Sequence, residues 1–274
     1  MNYDLVMNFV TTNDLSDWSV GKEILSNVFN EPKLMPQRIA TFGEVTGKHG
    51  IDVADLSECQ KYWANIGTST FNGVSDSFLL DFHWKRKSTI KSQGSVVFPH
   101  IRGNTRTASR ISFDSKFRKD VDWLTLFQKW VEVTSPITAV FHPFIGEDRP
   151  AKINKNLLEY SFKEDILEEA WSRFLTGDVY TKFRAGELNS LVSGLTNLGW
   201  ATYLGGEFAR EVDEQAILSA GFKITKIGEG YMIQVTENLD DIMGNYTRFS
   251  DERSKLKALF RSDLFLIDNE PNQN

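Results

Sequence analysis

Three histidines, His83, His100 and His142, each fall in or at the end of a segment that reads as a β-strand. On neighbouring strands their imidazoles could converge with the Asp81 carboxylate and bind zinc. Local spacing does not favour that site. There is no His-x-His or His-Glu-x-x-His, and Pro99 and Pro143 stand beside two of the three. The competing reading makes them packing or surface residues of their strands. Cys59 could serve as a nucleophile only with a histidine to activate it. On the apolar face of the helix read over 55–66 it behaves instead as a small buried hydrophobe.

Other arrangements that carry chemistry are missing from the sequence. There is no Gly-x-Ser-x-Gly elbow and no phosphate-cradling loop, and Gly103-Asn104-Thr105-Arg106 reads as a turn. The paired acids Glu168-Glu169 and Asp240-Asp241 point different ways on a helix, so neither pair is set for acid–base work. The sequence therefore points to binding rather than catalysis, with no cofactor called for.

Charge is the stronger signal. Between Lys85 and Arg118 stand nine bases (Lys85, Arg86, Lys87, Lys91, Arg102, Arg106, Arg110, Lys116, Arg118) against one acid, Asp114. They can be the wet face and guarded edge of a sheet. A nucleic-acid surface would interleave such charge with exposed aromatics, for which Phe98 and Phe113 are available. The net charge of −6 argues against nucleic acid as the partner. An acidic protein partner is the third reading.

The opposite sign collects further on. Glu207, Glu211, Asp213, Glu214, Glu229, Glu237, Asp240 and Asp241 face only Arg210, Lys223 and Lys226 over 207–241. These eight acids are the candidate partner-binding residues, whose field would steer a basic partner.

The elements that must position these groups are legible in outline. The chain has 274 residues and is rich in Phe and Trp, enough for one large domain or two modest ones. No apolar run reaches membrane-spanning length, no basic-then-apolar leader opens the chain, and one cysteine fits a reducing compartment. A soluble cytoplasmic protein without a membrane partner is expected. Residues 3–10 read as a strand and Ser19–Phe29 as a helix. Strands follow over 77–86, 94–101 and 106–113, then a helix over 121–134 carrying Trp123, Phe127 and Trp130, and a strand Ile137–His142. Pro150 within the polar stretch 146–156 marks a boundary between halves 1–148 and 149–274, although one continuous domain is the alternative. Beyond it come helices from Ser161 to Leu175 and over 187–197, and a strand from Trp200 to Leu204. A helix Glu214–Ala220, strands 222–227 and 231–236 around Gly228-Glu229-Gly230, and a helix capped by Ser250 complete the chain. Hairpins mixed with helices, without regular βαβ alternation, give an α+β fold of largely antiparallel sheet packed by helices. Each half ends in a hairpin and a helix, which is compatible with two similar sub-domains.

The order Leu198-Gly-Trp-Ala-Thr-Tyr-Leu-Gly205, Gly221–Glu237, the helix Ser250–Phe260 and Arg261-Ser-Asp-Leu-Phe265 resembles the C-terminal part of the immunity protein 52 family. That family and related type VI immunity families belong to bacterial polymorphic-toxin systems. The shared pattern is a Gly-Trp-x-x-Tyr/Phe-Leu strand, a hairpin with a glycine before its second strand, a spacer and a closing helix. The acidic helix at 213–220 and the Lys-rich hairpin depart from it. The resemblance implies a stoichiometric inhibitor of a cognate toxin, often a nuclease, with no catalytic residues to carry over. The matched residues themselves read as scaffold, leaving the acidic surface for recognition.

Overall fold

The computed structural model describes residues 3–99, 101–102, 105–106, 108–145, 195, 197–262 and 264–265. Its first strands are β1 (Tyr3–Thr11), β2 (Arg38–Thr41), β3 (Ile51–Asp52), β4 (Ile66–Phe71), β5 (Val74–Leu79), β6 (Phe82–Arg86) and β7 (Ser92–Val97). After these come β8 (Ile101–Arg102), β9 (Thr105–Arg106), β10 (Ser109–Lys116), β11 (Thr138–Ile145), β12 (Ala201–Leu204), β13 (Lys223–Ile227) and β14 (Gly230–Gln234). The helices are α1 (Trp18–Phe29), α2 (Trp123–Thr134), α3 (Glu214–Ser219), α4 (Asp240–Gly244) and α5 (Tyr246–Lys257), with 3-10 turns at Leu56–Tyr62 and Gly206–Glu211. The main sheet runs β13-β14-β12-β11-β1-β10-β7-β6-β2-β3, while β4-β5 and β8-β9 form separate two-stranded ribbons. Every ladder with a described register is antiparallel. The fold is α+β, as the hairpin-and-helix pattern implies. Two compact units divide the chain: Met7–Ser135, and Pro136–Asn274 together with Met1–Val6.

In the unit Met7–Ser135, alternation decides which way the sheet faces. Every second residue of β10 is buried, and pairing with β7 and β6 aligns Phe113 and Ile111 with Gly94, Val96, Trp84 and Phe82. On that face Trp130 of α2 meets Phe113 edge-on at 5.1 Å and Phe9 at 5.7 Å. Such pairs add to the burial of large rings. Two buried indoles donate to main chain: Trp130 Nε1 to Ile24 O in α1, and Trp63 Nε1 to Leu15 O. Gly94 is required here, because the Trp84 ring lies directly over its α-carbon.

Three expectations for this unit change. The strand read over 94–101 ends at Val97, and Ile101 belongs to the separate β8-β9 ribbon. The stretch 77–86 is not one strand: Leu80 donates its N–H to Asn65 O, and the chain turns between β5 and β6. The helix read over 55–66 is a short 3-10 turn capped by Asp55, whose carboxylate accepts from Ser57 N. Of the residues read onto its apolar face Cys59 and Trp63 are buried, whereas Ile66 begins β4 and is exposed.

The unit containing Pro136–Asn274 centres on β12, buried at all four positions between β11 and β14. Gly221 (φ +87°) ends α3 and Gly228 (φ +57°) turns β13 into β14. Both take up the left-handed backbone that glycine adopts without strain. The closing helix starts earlier than Ser250. Asn245 caps it by accepting from Arg248 N, and Ser250 lies buried within it. The expected helix over 161–175 and the boundary at 146–156 lie outside the described residues, as does most of the helix expected over 187–197, whose described residue Leu195 forms a parallel bridge with Phe265 instead.

Candidate functional site

The segment Asn197–Trp200 is held by side chains from three elements. His142 of β11 accepts the Trp200 N–H on Nδ1 at 3.1 Å. Arg253 of α5 donates to Leu198 O at 3.2 Å, and Thr202 Oγ1 accepts from Gly199 N at 3.0 Å. Trp200 Nε1 reaches Thr236 Oγ1, and its ring packs edge-on to Phe141 at 5.3 Å. A β-carbon on Gly199 would run into Val140 and Phe141 O. Burial, reinforced by the Arg253 guanidinium, pushes the His142 pKa well below the ordinary histidine value. His142 is therefore a neutral acceptor, and the Gly199-Trp200 motif is scaffold.

The four residues of the zinc reading are not assembled by any one element. His83 and Asp81 belong to the unit Met7–Ser135, His142 belongs to the other, and His100 lies outside the described residues. Among the described residues no three His, Cys, Asp or Glu side chains are grouped as metal ligands. His83 lies on the half-buried polar face of β6, where burial lowers its pKa; Glu44 opposes that shift and His49 adds to it. Cys59 is buried, and burial aided by Glu58 and Asp55 pushes its thiol up to about 12.

Six of the eight acidic residues fall into two groups at opposite ends of β14. Glu207 and Glu211 follow the end of β12, and Glu229 precedes the start of β14, where Tyr231 pairs with Leu204. Glu237, Asp240 and Asp241 come after the far end of β14, about 16 Å along the strand at ~3.3 Å per residue. Asp213 and Glu214 open α3. Several of these acids have internal duties. Asp213 caps α3 through Ala216 N at 3.0 Å, Asp241 accepts from Asn238 N, and Glu211 pairs with Arg261 at 3.0 Å. Glu207 is partly withdrawn from water, which raises its pKa against the pull of Arg210. Glu214, Glu229, Glu237 and Asp240 are exposed.

Part of the basic block also serves the fold. Lys85 donates to Val45 O, and Arg86 bridges Met35 O and Thr89 O at 2.9 and 3.0 Å. Arg38, on β2 opposite Lys85, donates to Thr46 O and Gly50 O and pairs with Asp52. Lys85 and Arg38 thus hold the loop 42–50 by its carbonyls. Lys87 and Lys91 are exposed, and Arg118 meets Asp120 at 3.4 Å. Arg102 and Arg106 are described for their backbone alone, in β8 and β9.

A further surface emerges from the β4-β5 ribbon. Ile66 is 72% exposed and Val74 71%, and Phe42, 68% exposed at φ +54°, sets its ring 6.3 Å from that of Phe78. These are large apolar groups in water on one short hairpin and the loop touching it.

Neither the family models nor the curated proteins contain a match to this sequence. Solved structures do. The chain is similar to the T6SS protein PA0821 of Pseudomonas aeruginosa, with a TM-score of 0.55 and 11% identity. The likeness covers 96% of this chain and 77% of that one. At that identity it is a likeness of fold.

Sequence reasoning passed over the ribbon because its strands lack alternation. Thr68 to Thr70 and Val74 to Ser77 are exposed on both faces, so neither period marks them. The available signal was Asn72-Gly73 between them, the pair that favours a two-residue hairpin turn. Both residues take positive φ, +50° and +77°.

Proposed function

We propose that this protein is a cytoplasmic immunity protein of a type VI secretion system, which binds a cognate antibacterial toxin stoichiometrically and blocks it, without catalysis of its own. The observation that carries the reading is the fold likeness to a T6SS protein over 96% of the chain. The resemblance of Leu198–Phe265 to type VI immunity families supports it from the sequence alone. An inhibitor of this kind needs a rigid scaffold and a free surface. The clamped Asn197–Trp200 segment supplies the first, and exposed acids such as Glu214 and Glu229 bear on the second. A negative surface of this kind would speed capture of a basic toxin, such as a nuclease, toward ~10⁸ M⁻¹s⁻¹ at low salt.

Co-expression with the toxins exported by the host cell's own type VI apparatus tests the reading. This protein should restore growth in cells making one of them, and the pair should co-purify as a one-to-one complex. Undiminished toxicity of every such toxin in cells making folded protein overturns it.

A further inference from the structure

Asn72 and Gly73 make the turn of the β4-β5 ribbon, and theirs is the only Asn-Gly pair in the sequence. The ladder closes at Phe71 opposite Val74, so both residues lie beyond it, and both are exposed. Nothing lies within 4 Å of where a β-carbon on Gly73 would stand. The peptide nitrogen that follows Asn72 therefore carries no side chain beside it and sits in open space. That nitrogen and the Asn72 side-chain carbonyl carbon can close a five-membered ring once the turn leaves its present conformation, with φ +50° and +77°. Opening is cheap here. Thr68 to Thr70 and Val74 to Ser77 are exposed, and a two-stranded ribbon has little core to hold its tip shut.

We propose that Asn72 is a site of spontaneous deamidation, with the Gly73 nitrogen as the internal nucleophile and water as the co-reactant. Hydroxide takes the Gly73 amide proton, and the nitrogen attacks Cγ of Asn72. A Cγ–N bond forms, the Cγ–Nδ2 bond breaks, and the leaving nitrogen takes a proton from water and departs as ammonia. Water then opens the succinimide at one of its two carbonyls, with no change of oxidation state. Opening at Cγ leaves aspartate in a normal backbone. Opening at the main-chain carbonyl leaves isoaspartate, whose backbone runs through the side chain and is one carbon longer. Aspartate suits a two-residue hairpin turn as asparagine does, so that product keeps the ribbon. Isoaspartate does not fit the two-residue loop, and the Thr70–Ser75 hydroxyl contact of 2.8 Å next to the tip is the first to loosen. Either product adds a carboxylate to a ribbon whose single charge is now Asp76.

The test is incubation of the folded full chain at pH 8 and at pH 6, beside a synthetic peptide of residues 62–85. Trypsin releases the same segment from the protein, because Lys61 and Lys85 bound it, and its two asparagines are Asn65 and Asn72. Mass spectrometry with fragmentation should place the amide-to-acid mass gain on Asn72, with isoaspartate present. Asn65 should keep its amide, since the β-branched Ile66 crowds the nitrogen that follows it. Conversion should be slower at pH 6, where the deprotonated nitrogen is scarcer. In the native chain Asn72 should convert within about a hundredfold of the peptide rate, the margin set by opening of the tip. An amide that outlasts that margin, a mass gain on Asn65 instead, or a rate indifferent to pH overturns the proposal.

Discussion

His142 and Trp200, 58 residues apart, are joined by a hydrogen bond from the Trp200 backbone N–H to Nδ1 of a wholly buried imidazole. The bond exists only while that ring is neutral, since a protonated imidazole has no acceptor. Burial and Arg253 lower the folded-state pKa below the unfolded value of ~6.5. Below that value the unfolded chain takes up a proton that the native chain refuses. His142 thus contributes its full stability above pH ~6.5 and loses it as pH falls, by up to about 1.4 kcal/mol per pH unit. Urea unfolding at pH 7.5, 6.5 and 5.5 should show this slope. His142→Phe should flatten it while costing about 1–3 kcal/mol at pH 7.5, because the Trp200 N–H is left buried and unmet.

Arg253 should be as sensitive. Its guanidinium is fully buried, bonded to Leu198 O and Tyr246 Oη and lying 4.9 Å over the Phe249 ring. Arg253→Ala removes these contacts and leaves a large void, for an expected loss of about 2–4 kcal/mol by chemical denaturation. Arg253→Lys should recover little, since an ammonium cannot span both acceptors in one plane.

These two residues mark the limit of what the sequence could tell. Alternation over 77–86 set Phe82 and Trp84 inward, and both are buried, whereas Phe78 and Leu80, read on the same face, are half-buried; Phe98 and Phe113, which alternation left open to either face, are buried. Apolar spacing likewise set Trp123, Phe127 and Trp130 inward on α2. Both are local regularities enforced by the geometry of a strand or a helix. The clamp on Asn197–Trp200 is not local: it needs β11, β12 and α5 to meet, and no spacing between His142, Trp200 and Arg253 encodes that. Ser250 misled for the converse reason. It has the chemistry of a cap, but Asn245 sits nearer the point where α4 ends and takes the role first.

Glycine positions give a sharp comparison of packing with backbone freedom. Gly94→Ala would push a methyl into the Trp84 ring, which is itself pinned between strands. Overpacking of that kind should cost about 1–3 kcal/mol. Gly47, with open space around it and no positive φ, should accept alanine within about 0.5 kcal/mol. Equal losses at the two sites in thermal melts would contradict the packing around Trp84.

Cys59 should be silent to thiol reagents in the folded protein. Its sulfur is buried and its pKa is pushed up to about 12, so thiolate is scarce at pH 8. Reaction with a disulfide reagent at that pH should run more than about a thousandfold slower than in denaturant. Fast labelling of native protein would place the thiol at the surface.

The acidic residues should separate by duty when neutralised one at a time. Asp213→Asn and Asp213→Ala act on the α3 cap, and the alanine should cost about 0.5–2 kcal/mol with the asparagine near neutral. Glu211→Gln releases Arg261 from a half-exposed pair and should cost less than about 1 kcal/mol. Glu214→Gln and Glu229→Gln change exposed carboxylates, so their melting temperatures should match the parent. If acidic steering assists toxin capture, those two variants should lower the association rate at low salt and leave dissociation nearly unchanged. Surface plasmon resonance against the protecting partner separates these outcomes. Unchanged association for both removes the acidic groups from recognition, and the exposed ribbon with Phe42, Ile66 and Val74 becomes the surface to mutate next.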